Sequence, residues 1–104
     1  MDARLYQQLR SGINTLNTGL ADRRLPLRGV QQVMAKVRAA FPGNAQIARF
    51  TRDIEKRYAA MLEIKDPSLN RRYTNHRAAI YESLAAISQH IRQNAPGQKR
   101  RGAW

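Results

Sequence analysis

Apolar residues recur at intervals of three and four along nearly the whole chain, and no stretch alternates strictly between apolar and polar side chains. In the first segment, this stripe consists of Leu5, Leu9, Ile13, Leu16 and Leu20. Such intervals place side chains on one face of an α-helix, whereas a half-buried strand needs a period of two. The pattern therefore predicts an all-α protein.

Two helices are predicted in the middle of the chain, the first of them short. The second apolar stripe runs from Val30 to Phe41 and ends at Pro42-Gly43-Asn44. That turn combines two helix breakers with a residue suited to capping the next helix. The third stripe then runs from Ile47 to Leu62. A tight turn between the two helices follows from this arrangement.

The fourth predicted helix has the longest apolar stripe, from Leu69 to Ile91. Asp66 followed by Pro67 has the order of an N-cap and a first helical residue, so we expect the helix to begin there. The segment Asn94 to Gly97 contains a proline and a glycine, which predicts the end of the helix.

Each predicted helix is apolar on one side only, so each must bury that side against the others. The expected fold is a small four-helix bundle or an orthogonal helical array, formed by a single domain over residues 1–94. Residues 95–104 show no apolar periodicity and are predicted to form a flexible basic tail. Because the second helix is short, an apolar stripe could stay uncovered and support a homodimer.

The charge of the chain is strongly unbalanced, with 19 Lys and Arg against 7 Asp and Glu and a formal net charge of +12. Fifteen of these basic residues are arginine. Unpaired charge of one sign destabilises a small fold through self-repulsion, and a polyanionic or acidic partner relieves that repulsion. The composition therefore predicts a basic binding module.

The third predicted helix contains acids among its bases, so we interpret it as an ordinary solvated surface. The excess charge lies around the first connection, on the second helix, at the start of the fourth helix and in the tail. The predicted nucleic-acid-binding residues are Arg23, Arg24, Arg28, Lys36, Arg38, Arg71, Arg72, Asn75, Arg77, Lys99, Arg100 and Arg101.

The densest part of this set is the start of the fourth helix, where Arg71, Arg72 and Arg77 oppose the helix dipole. Stability alone does not explain arginines at that position. Arginine forks match the oxygens of phosphate groups, and the amide of Asn75 can hydrogen-bond base edges or the nucleic-acid backbone. An arginine-rich surface that only reflects the base composition of the coding genome is the alternative.

Enzymatic chemistry is not expected. The chain has no cysteine, and its two histidines, His76 and His90, are fourteen residues apart on one predicted helix. It has neither the paired ligand spacing of a metal site, nor a Gly-x-Ser-x-Gly element, nor a glycine-rich phosphate loop. We therefore predict no catalytic residue, no metal and no cofactor, and interpret His76 as a hydrogen-bonded residue at the edge of the core.

A helix-turn-helix is a second interpretation of the middle of the chain. The second and third helices around their tight turn have the right order and length, and Gln46, Arg49, Arg52 and Asp53 would be the exposed residues of the recognition helix. Asp53 and the neighbouring Glu55 argue against it, because they place negative charge where phosphates would approach.

A small helical adaptor or inhibitor, such as a phage- or plasmid-type modulator that docks on an acidic protein surface, is the alternative from another functional class. Tyrosine and arginine are good interface anchors. The candidate aromatic anchors are Tyr6, Tyr58, Tyr73 and Tyr81. A basic helix lying on anionic membranes is a third option, but the apolar stripes are needed for the core. No apolar run is long enough for a membrane span, so the expected location is the cytoplasm.

Overall fold

Four α-helices make up the fold in the computed structural model, which describes residues 1–20, 23–66, 68 and 70–96. They are α1 (Ala3–Gly19), α2 (Leu27–Ala40), α3 (Ala45–Glu63) and α4 (Arg71–Gln93). The described residues contain no strand. The prediction of an all-α protein is confirmed.

Side-chain caps set the beginnings of three helices. Asp2, Asn44 and Asn70 are the N-caps of α1, α3 and α4, and each accepts a hydrogen bond of 2.9–3.0 Å from a backbone N–H two or three residues further on. Such a bond satisfies one of the N–H groups that the first turn leaves without a partner. The turn before α3 contains Gly43 at a φ of +77°, a conformation that glycine adopts without strain.

The predicted start of the fourth helix is wrong by one turn. The carboxylate of Asp66 accepts hydrogen bonds from the N–H and the hydroxyl of Ser68, at 3.1 and 2.7 Å, and so stabilises a local turn instead of a helix. Asn70 supplies the cap, and α4 begins at Arg71. Pro67 and Leu69, which the sequence placed in this helix, lie outside the described residues.

Successive helices run antiparallel and pack side by side. α3 packs against α4 over the largest interface, α2 packs against α3, and α1 closes the bundle by contacting both α4 and α2. The pairs α1/α3 and α2/α4 are therefore diagonal. Of the two predicted architectures, the four-helix bundle is the one that forms.

One apolar core runs through the bundle. It consists of Leu9, Ile13, Leu16, Leu20, Val30, Met34, Val37, Ile47, Ile54, Tyr58, Met61, Tyr73, Ile80, Leu84, Ile87 and Ile91. Among the described residues, Leu62 is the one large apolar side chain classed as exposed, at 38%. The uncovered stripe on which the predicted homodimer depended is thus not found in the part of the chain that is described.

The up-down order of the helices places two connections at one end of the bundle. The described residues of the first connection (20 and 23–26) and of the third (64–66, 68 and 70) lie there together with the start of α2 and the start of α4. We call this the connection end. The α2–α3 turn, the start of α1 and the end of α4 form the opposite end.

Candidate nucleic-acid interface

Arg23 holds the first connection against the C-terminal end of α3 and the first turn of α4. Its Nη1 donates hydrogen bonds to the carbonyl of Met61, at 3.3 Å, and to the carbonyl of Ile64. Its Cζ lies 5.5 Å from the ring centroid of Tyr73, in a cation–π contact. These carbonyls belong to the C-terminal end of α3, where a positive charge also complements the helix dipole. Arg23, predicted to contact phosphate, is therefore a positioning residue.

A second long-range bond fixes the same connection. The hydroxyl of Tyr58, a fully buried residue of α3, donates a hydrogen bond of 2.6 Å to the carbonyl of Leu25. Burial is the main cause that raises the pKa of the Tyr58 phenol above its usual value, so the hydroxyl keeps its proton. Leu25 in turn packs against Gly19, where a Cβ atom would lie 2.8 Å from the Leu25 Cγ. The connection therefore has a defined position.

The connection end carries several exposed basic residues as a result. The set, which we call the basic cluster, consists of Arg24, Arg28, Lys65, Arg71 and Arg72. Four of its five members were predicted from the sequence; Lys65 was not. The described residues of the same end also contain two carboxylates, Glu63 and Asp66.

Asp66 is already engaged within its own turn. Hydrogen bonds from the side chain and the backbone of Ser68 hold the pKa of the Asp66 carboxyl below its usual range. The carboxylate is thus directed into a local turn rather than toward the arginines of the helix starts.

The remaining predicted residues do not all join this cluster. Asn75 and Arg77 are exposed on α4, one to two turns beyond its start. Lys36 is exposed on α2, about 12 Å along the helix from Arg28. Because α2 and α4 are diagonal, Lys36 and Arg77 lie on different sides of the bundle. The predicted tail residues Lys99, Arg100 and Arg101 lie outside the described residues.

Arg38 has a partner, which corrects its assignment to the uncompensated charge. Its Nη2 lies 3.4 Å from Oε1 of Glu55, and both side chains are half-buried between α2 and α3. Its Nη1 is buried and has no hydrogen-bond partner among the described residues. Arg38 is thus a residue of the α2–α3 interface, near the end opposite the basic cluster.

Two of the three acids of α3, Asp53 and Glu55, pair with arginines at the flanks of the helix. Asp53 accepts a hydrogen bond of 2.8 Å from Nε of Arg57, on the side of α3 that faces α4. This confirms one of the helix-surface pairs expected from the spacing. Glu55 faces Arg38 on the other side, toward α2. The two carboxylates therefore occupy the flanks of the helix.

Arg49, Arg52 and Lys56 are left on the outer face of α3, and the sequence analysis did not include them in the predicted nucleic-acid-binding set. We call these three exposed residues the α3 stripe. Their spacing of three and four puts them on one face, opposite the buried stripe. Plotting the charges around the helix, instead of summing them over the segment, groups these three residues; Glu63, two turns beyond Lys56, lies on the same face. The stripe contains two residues of the helix-turn-helix hypothesis.

His76 lies at the α3–α4 interface in a cationic environment. Its Nδ1 is 3.3 Å from Nη1 of Arg57, and because a guanidinium only donates, the ring nitrogen accepts in its neutral form. Burial, followed by the charges of Arg57 and Arg72, lowers the pKa of His76 below its usual value, and Asp53 opposes that shift. The predicted role at the edge of the core is confirmed.

The tyrosines proposed as interface anchors are largely occupied inside the fold. Tyr58 and Tyr73 are buried, at 0% and 5% exposure. Tyr6 and Tyr81 are half-buried, and their hydroxyls bond to Arg10 Nη1 at 3.0 Å and to the carbonyl of Asn17 at 3.3 Å. The aromatic support for an adaptor is therefore weaker than the sequence indicated.

The described residues contain no group of three His, Asp or Glu side chains placed to hold a metal ion. Within the same residues, no helix is both long enough and apolar enough to cross a bilayer. No protein-family model, curated protein or solved structure matches this chain.

Proposed function

We propose that this chain is a non-enzymatic helical module that binds nucleic acid through phosphate contacts at the basic cluster. The observation that carries the proposal is the attachment of the first connection to α3 and α4 by Arg23. This attachment brings the arginines of the first connection and of the start of α2 to the same end of the bundle as the arginines at the start of α4.

The helix dipoles strengthen this argument. α2 and α4 both begin at the connection end, and neither has an acidic residue in its first turn. Each has arginine there instead: Arg28 in α2, and Arg71 and Arg72 in α4. The positive ends of both dipoles and the arginines repel one another, and a bound anion relieves that repulsion. Pro26, the N-cap of α2, makes no side-chain hydrogen bond to the first turn, which leaves that turn open to an anion.

The chemistry of the cluster suits a phosphate backbone. A guanidinium offers two parallel N–H donors to one phosphate, and several arginines at one end can engage successive phosphates. Such contacts set position and affinity but do not read sequence. Asn75 and Arg77, further along α4, are the proposed residues for a second row of contacts. We place such a module in the cytoplasm.

The test is a titration of fluorescently labelled single- and double-stranded DNA and RNA with the protein, read by anisotropy. About four phosphate contacts would make the affinity fall about a hundredfold between ~50 and ~200 mM salt, because counterions are released on binding. Binding weaker than ~100 μM to every probe at ~50 mM salt would exclude the proposal, since non-specific binders already reach that affinity.

An adaptor that docks on an acidic protein through the same cluster is the second candidate. Arginines are good interface anchors, and those of α4 are exposed. Affinity capture from a lysate with and without nuclease distinguishes the adaptor from the nucleic-acid-binding module. A defined protein that is retained after nuclease treatment, and lost from a variant with Arg71 and Arg72 replaced by Gln, favours the adaptor. Loss of every captured partner on nuclease treatment favours nucleic acid.

A further inference from the structure

A small polar cleft lies between α1 and α4, away from the basic cluster. Its volume is about 130 Å³. Its polar lining consists of Arg10, Asn14 and Asn17 from α1 with Ser88 and Arg92 from α4. Two core residues, Ile13 and Ile91, line it as well and are almost fully buried. The cleft thus combines a closed apolar side with a rim rich in hydrogen-bond donors.

The charges of this cleft are all of one sign. Arg10 and Arg92 come from neighbouring antiparallel helices, and no Asp or Glu among the described residues lines the cleft with them. Neither arginine has an ion-pair partner in the described part of the chain. Two cations that share a small cleft repel each other, and an anion between them removes that repulsion.

Arg10 is oriented before any ligand binds. Its Nη1 donates a hydrogen bond of 3.0 Å to the hydroxyl of Tyr6, and its Cζ lies 5.7 Å from the centroid of the same ring. A side chain that is held in place loses less conformational freedom on binding. Tyr6 is therefore a positioning residue for the guanidinium.

We propose that this cleft binds the phosphate group of a phosphate monoester. Such a group carries nearly two negative charges at neutral pH, which the two guanidinium groups match. The side-chain amides of Asn14 and Asn17 and the hydroxyl of Ser88 can donate to the remaining oxygens. A cleft of about 130 Å³ is well above the roughly 10–15 Å³ that a single water molecule needs, so it has room for a phosphate group.

The surface beside the cleft indicates what the phosphate would be attached to. A wider depression shares Arg10 and Asn14 with the cleft and is otherwise lined by uncharged residues of α1, including Gln7, Ser11 and Thr15. Amides and hydroxyls of this kind hydrogen-bond neutral polar groups. The ligand class is thus a phosphate monoester with an uncharged, hydroxylated body.

This site is independent of the proposed nucleic-acid interface. Arg92 lies about 30 Å along α4 from Arg71, and Arg10 lies near the middle of α1, a helix that carries no member of the basic cluster. Failure of either proposal leaves the other intact, because variants of one site do not touch the other.

The test is an NMR titration of the ¹⁵N-labelled protein with inorganic phosphate and, separately, ribose 5-phosphate, at constant ionic strength. We expect saturable shifts of the Asn14 and Asn17 side-chain amides, with affinity at least about tenfold weaker in Arg10→Gln and in Arg92→Gln. Binding of ribose 5-phosphate should also weaken below about pH 6, where a phosphate monoester loses its second charge. Arg52→Gln, an exposed arginine of α3, is the matched control and should bind as the wild type does.

Two further arms distinguish the sources of the phosphate. Tighter binding of ribose 5-phosphate than of inorganic phosphate supports a small-molecule ligand. A preference for a 5′-phosphorylated oligonucleotide over its unphosphorylated twin, abolished by Arg92→Gln, would keep the phosphate site but contradict the uncharged body, and would assign the phosphate to the end of a nucleic acid. Absence of saturable shifts up to about 50 mM phosphate, or unchanged affinity in both arginine variants, would overturn the proposal.

Discussion

The guanidinium carbon of Arg23 lies 5.5 Å from the ring centroid of Tyr73, across a sequence separation of fifty residues. This contact joins the first connection to the first turn of α4. Together with the bonds from Arg23 to α3, it explains why basic residues that are far apart in the sequence share one end of the bundle.

Replacing Arg23 with Ala should destabilise the fold by about 2 kcal/mol. A hydrogen bond from a charged donor contributes about 1.5–3 kcal/mol, and the Arg23 side chain that makes these bonds is half-buried. Urea unfolding followed by circular dichroism measures the change. Arg23 has a φ of +56°, so Arg23→Gly should be less harmful than Arg23→Ala by roughly 1 kcal/mol. A wild-type stability in the alanine variant would show that the contacts of Arg23 do not hold the connection.

Tyr58→Phe should lower the free energy of unfolding by about 1–2 kcal/mol. The variant keeps the ring in the core but leaves the carbonyl of Leu25 without the 2.6 Å hydrogen bond that it now accepts. Tyr81→Phe is the matched control, because its bond to the carbonyl of Asn17 is longer, at 3.3 Å, and exposed. Equal losses in the two variants would argue against a special role for Tyr58.

The fold should lose stability as the pH falls below 6.5, the ordinary pKa of histidine. The pKa of His76 is lowered in the folded state, so between that value and 6.5 the unfolded chain binds a proton that the native protein does not. The contribution of His76 is therefore present above pH 6.5 and lost as the pH falls through its folded pKa. Unfolding free energies at several pH values measure this, and His76→Gln should flatten the curve. A folded-state pKa above 6.5 in an NMR titration of the ring would contradict it.

The sequence predicted the helices well because helical periodicity and capping are local properties. The four apolar stripes and the Asn44 cap could be identified from neighbouring residues alone. Neighbouring residues alone could not decide between Asp66 and Asn70 as the cap of α4, since both residue types cap helices equally well. Which of them does so depends on the turn that Ser68 forms with Asp66.

The candidate site was harder to predict for a different reason. An arginine with a positive φ is uncommon, so nothing in the residues around Arg23 indicated that it turns inward. The hydrogen-bond partners of Arg38 and Arg23 lie 17 to 41 residues away, and such pairs depend on the packing of the bundle. The sequence could predict exposed arginines on single helices. It could not predict which arginines form hydrogen bonds to other elements of the fold.

Replacing Arg71 and Arg72 with Glu should make the protein more stable while it weakens nucleic-acid binding. Acidic residues in the first turn of a helix complement its dipole, and each change from arginine should add about 0.3–1 kcal/mol to the free energy of unfolding at low salt. Thermal unfolding measures the gain. A large loss of stability would mean that these arginines serve the fold, and the argument that a ligand explains their position would fail.

The central claim is tested most directly by two triple variants that remove the same charge from different surfaces. Arg28→Gln with Arg71→Gln and Arg72→Gln alters the basic cluster, and Arg49→Gln with Arg52→Gln and Lys56→Gln alters the α3 stripe. We predict that the first triple lowers the affinity for nucleic acid about a hundredfold or more and reduces the slope of log K against log salt by about 2–3. The second triple should have a much smaller effect on both. Equal losses in the two triples, or a larger loss in the second, would contradict an interface at the basic cluster.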